Sequence, residues 1–194
     1  MTLAVPIQTT PAIQAKAREL SLLLCESNVT QVTTQDERMR WFRHAHSDGA
    51  PWKAEYDALL KELKTISPDI KTAIETYAEI YAESTPQNSH PGRNLPSASL
   101  ERLDAGWLTV LPGSIVFLLS LASEDGSEAA IQSGASIEDS NAASLSKWPC
   151  GSGVLLLGGS WRAEPTPFDF LQIPLRRSLQ KSKRVQPAVS SDGQ

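Results

Sequence analysis

One stretch of this chain, His44-Ala45-His46-Ser47-Asp48, has the spacing of a metal site. Two imidazoles two residues apart and a carboxylate two further on supply three ligands to a zinc ion and leave a fourth position open. The chemistry implied is that of a small metal-dependent enzyme. A plainer reading puts both histidines at the fraying C-terminal end of a helix, where positive charge is favourable.

The same five residues resemble the opening of the metal motif of metallo-β-lactamase-like hydrolases. That motif continues with a further histidine and follows a buried apolar strand. Here Gly49 comes next, and the residues before it are Asp36-Glu37-Arg38-Met39-Arg40-Trp41-Phe42-Arg43. The chain has 3 histidines, so His90 alone remains for any second set of ligands.

Other constellations are weaker. Cys150-Gly151-Ser152-Gly153 and Gly158-Gly159-Ser160 could bring backbone N–H groups close to a phosphate, but neither leads into a helix with Lys-Ser/Thr, so no P-loop is present. Ser152 is not in a Gly-x-Ser-x-Gly elbow. Cys25 follows Leu22-Leu23-Leu24 and reads as a small core residue, and nothing in the sequence pairs Cys150 with a base. No cofactor is expected. Near the end, Arg176, Arg177, Lys181, Lys183 and Arg184 form a basic run bracketed by Pro174 and Pro187. It suits phosphates, an acidic partner or a nuclear-import receptor, and otherwise is a solvated tail.

The elements that would position these groups divide near residue 85. Of 11 glycines and 13 prolines, just Pro6, Pro11, Gly49, Pro51 and Pro68 precede that point. The first part therefore has room for long helices and the second for short elements. About four helices are expected over residues 12–84. Ile13, Ala17, Leu20 and Leu24 mark the first. Thr34 would cap the second, with Met39 and Phe42 on one face. Trp52, Tyr56, Leu59, Leu60, Leu63 and Ile66 stripe the third, and Ser67-Pro68-Asp69 opens the fourth, packed antiparallel to the third.

Beyond a linker at 85–99, residues 100–174 read as a small irregular region containing strands. Residues 99–104 suggest a helical turn stopped by Gly106. Residues 107–111 and 115–121, separated by Pro112-Gly113, read as a hairpin, and residues 154–157 as a third strand. Ser/Ala-rich residues 122–146 read as a disordered acidic loop, and residues 175–194 as a disordered basic tail. The window 105–123 carries no charge and has close to the length of a membrane helix, with Pro112-Gly113 in its middle.

The whole is expected to be an α+β protein with a helical bundle as its N-terminal region (1–84). The net charge of −4 over 194 residues speaks against a nucleic-acid binder, except through the basic run. Two cysteines exclude a disulfide scaffold. The N-terminus shows neither a basic segment nor an apolar one of signal-peptide type, so a cytoplasmic or nuclear location is expected. The function expected is non-catalytic, an interaction or accessory subunit binding another protein through amphipathic helices. The alternatives are an enzyme built on His44, His46 and Asp48, and attachment to a membrane through residues 105–123.

Overall fold

Thr10 supplies the first fixed point of the chain. Its hydroxyl accepts the Ile13 N–H at 3.3 Å, and Pro11 takes the first helical position, where a missing N–H costs nothing. Helix α1 (Pro11–Leu24) follows, and Ile13, Ala17, Leu20 and Leu24 are fully buried along one side, as their spacing predicts. In this computed structural model the described residues are 4–24, 29–31, 40–44, 49–82, 98–110, 114–122, 129–134, 143–157, 159–164 and 167–175.

The second helical stretch departs from the expected hairpin. Helix α2 (Lys53–Leu63) passes through a 3-10 turn (Lys64–Ile66) straight into helix α3 (Ser67–Ala82), with Leu63, Lys64 and Ser67 all in right-handed helical conformation. Pro68 has no N–H to return to the preceding turn, and the chain answers by tightening there: the Ser67 N–H bonds the Lys64 carbonyl. Proline at this point tightens a continuing helix and does not reverse the chain.

The strands are β1 (Ala4–Ile7), β2 (Val29–Gln31), β3 (Arg40–His44), β4 (Ser99–Ala105), β5 (Leu108–Val110), β6 (Ile115–Ser120), β7 (Ala129–Gly134), β8 (Ala143–Trp148), β9 (Gly153–Leu156), β10 (Gly159–Glu164) and β11 (Phe168–Leu175). They form a seven-stranded sheet in the order β1-β9-β6-β11-β4-β3-β2 and a four-stranded sheet in the order β5-β10-β7-β8, with antiparallel pairing throughout. From β4 onward the chain changes sheet at almost every connection. These eight strands have the arrangement of a double-sheet jelly roll, widened at one side by β1 and at the other by β3 and β2.

Two cores lie on the two faces of the wide sheet. On one face the helices meet Leu100, Phe117, Leu119, Leu155 and Leu171, with Trp52 and Tyr56 edge to face at 5.8 Å. Between the sheets, Trp148, Trp161, Phe168 and Phe170 pack with Leu103, Leu118, Val154 and Leu156. Trp148 stacks on Phe168 at 4.8 Å, and Trp161 meets Phe170 edge-on at 5.0 Å. Because both faces of the wide sheet are covered, all six residues of β6 are buried and its sequence IVFLLS shows no alternation.

Several expectations are thereby corrected. The protein is a sheet-rich α+β fold, with two helical stretches and eleven strands among the described residues, not a helical bundle of about four helices followed by a few short strands. Residues 40–44, expected in a helix, form β3, whose aromatic pair Trp41-Phe42 suits a sheet. Residues 99–104, expected as a helical turn, form β4. Leu100 and Leu103 would share a helix face, but on a strand they serve opposite cores. Residues 107–111 and 115–121 do contain strands, yet β5 and β6 belong to different sheets and do not pair. β7 and most of β8 lie within the segment read as an acidic loop. The uncharged window 105–123 contributes strands β5 and β6, and among the described residues no helix is long and apolar enough to cross a membrane.

Candidate functional site

Successive residues of a strand point to opposite faces, so the adjacent Glu101 and Arg102 of β4 begin two separate polar clusters. On the helix-covered face, β11 sets Asp169 directly across from Arg102. The guanidinium grips that carboxylate with two bonds, Nε to Oδ1 at 2.8 Å and a terminal nitrogen to Oδ2 at 2.7 Å. His44, at the end of β3, places its Nε2 2.9 Å from the same Oδ1 and is fully buried. Burial pushes the Asp169 pKa up, but the hydrogen bonds from His44 and Arg102, with their charges, outweigh it and hold the carboxyl below the usual aspartate value. An ionised carboxylate accepts and cannot donate, so the proton of this bond sits on His44 Nε2.

On the opposite face, Glu101 is completely buried. It accepts the Trp41 indole N–H at 2.8 Å, an Arg43 guanidinium N–H at 3.2 Å and the Ser99 hydroxyl at 2.6 Å. Arg43 lies over the Trp41 ring, 5.9 Å from its centroid, and its side chain is half exposed. Trp41 itself packs against the core between the sheets. Three donors on one carboxylate are what a buried charge requires to be tolerated.

No family model, no curated protein and no solved structure matches this chain.

Of the proposed metal ligands, His44 is the one within the described residues, while His46 and Asp48 lie outside them. His44 is drawn to Asp169, 125 positions away, and among the described residues no group of three His, Cys, Asp or Glu side chains could hold a metal ion. Cys150 is half-buried in the turn before β9, takes part in no disulfide among the described residues, and packs against the helix-side core. Cys25, His90 and the basic residues Arg176, Arg177, Lys181, Lys183 and Arg184 lie outside the described residues.

The glycines flanking β9 act as spacers. Gly151 has φ +79°, and a Cβ there would fall 2.6 Å from Gln14 Cα, so α1 approaches this turn more closely than a side chain would permit. The Thr9 hydroxyl donates to the Gly151 carbonyl at 2.6 Å and fixes the approach.

Reasoning from sequence missed Glu101, Arg102 and Asp169. Their signal was an acid or an ion pair inside an apolar run, Leu100-Glu101-Arg102-Leu103 and Phe168-Asp169-Phe170-Leu171. A charge in a strand covered on both faces has to find a partner within the sheet. What the two clusters do chemically is fasten β3 to β4 and β11 from both sides. Asp169 and Glu101 each face three donors from β3 and β4.

Proposed function

We propose that the protein is a non-catalytic interaction or accessory subunit that binds another protein through the solvent face of its helices. The observation that carries this reading is how the buried polar groups are used. The buried carboxylate of Glu101 and the largely buried one of Asp169 hold strands together, and the space between the sheets is filled by Trp148, Trp161, Phe168 and Phe170, none more than 2% exposed. Jelly rolls host many unrelated functions, so the fold adds no argument of its own.

The apolar stripes of the helices are consumed by the sheet, which alters the kind of partner implied. What α2 and α3 present outward is polar: Lys53, Asp57, Lys61, Lys64, Asp69, Lys71 and Glu75 are all exposed. Among the described residues, Leu22 at the end of α1 is the large apolar side chain that stands exposed, at 65%. A partner here would be held by a largely polar surface, in the manner of non-obligate complexes, with Leu22 as its apolar contact. The basic run from Arg176 to Arg184 would add an electrostatic arm toward an acidic partner surface.

Amine-reactive cross-linking of the full-length protein purified from its own cells tests the proposal. A stoichiometric partner should cross-link to Lys53, Lys61, Lys64 or Lys71, and Leu22→Asp should release it while the melting temperature holds. Absence of a stoichiometric partner, or cross-links confined to the strands, would overturn it.

A further inference from the structure

No further inference is drawn: the strongest candidate, the ledge formed by half-buried Trp41 and exposed Arg43 on the inter-sheet face of β3, beyond the jelly-roll strands, carries nothing because nothing in the structure shows what covers it.

Discussion

Replacing Asp169 by alanine removes a carboxylate that faces both Arg102 and His44. Side-chain exposure is 14% for Asp169, 20% for Arg102 and 0% for His44, so water does little to screen what is left behind. Removing one partner of a largely buried ion pair typically costs about 3–5 kcal/mol. For a chain of 194 residues, each kcal/mol lowers the melting temperature by about 2–4 °C, so Asp169→Ala should melt about 6–20 °C below wild type. The pH dependence gives a second check. The folded-state pKa of Asp169 is held below its ordinary value, so its stabilisation is present above that value and is lost as pH falls through the lowered one. The gap between variant and wild type should therefore be full at neutral pH and shrink below about pH 4. Thermal and urea unfolding monitored at several pH values would measure both. A loss below about 1 kcal/mol, the worth of an exposed ion pair, would refute the reasoning, as would a gap that does not change with pH.

Glu101→Ala should cost a similar amount, and a Trp41 indole freed of its acceptor should show an altered fluorescence, measured alongside the melt. Gly151→Ala should destabilise by about 1–3 kcal/mol through its left-handed backbone alone, with more from the approach to Gln14, and Gly153→Ala by about 1–3 kcal/mol through the Phe117 ring, both read by urea unfolding. Leu59→Ala, at a fully buried site, should cost about 2–5 kcal/mol and exceed Ile74→Ala, whose residue is only partly buried. In hydrogen exchange, the amides of β6 should outlast those of α3, because β6 is paired on both sides and covered on both faces. Replacing Arg176, Arg177, Lys181, Lys183 and Arg184 by Gln should weaken binding of the cross-linked partner and flatten its salt dependence, measured by titration at low and high ionic strength.

How much of this was legible varies along the chain. α1 could be read because its apolar positions recur at helical spacing and a proline opens it. The strand at 154–157 could be read because glycines bound it. The helical spacing of Leu100 with Leu103 misled, because β4 lies in a sheet covered on both faces and the two leucines enter opposite cores. The same burial makes a pair of leucines three apart look like one helical stripe. Residues 129–134 and 143–148 looked too poor in apolar side chains to form strands, yet both pair in the narrow sheet, where the ladder itself supplies the bonds. The site was hidden for a related reason. His44 is near neither Arg102 nor Asp169 in sequence, and no local spacing announces a cluster assembled from three strands.

The position of β11 sets the order in which this protein can assemble. It is the last of the described strands along the chain, yet it lies in the middle of the wide sheet, between β6 and β4. Until it is in place, β1, β9 and β6 form one fragment and β4, β3 and β2 another, with a gap the width of one strand between them. Without β11 each of these sets of strands would present an open edge of the kind that invites pairing with other chains. Insertion of β11 joins them, and the same step delivers Asp169 to the waiting Arg102 and His44. Truncation before residue 168 should therefore leave two half-sheets and not a smaller stable protein, and folding should be slow for the chain's size because its decisive contacts are so distant in sequence.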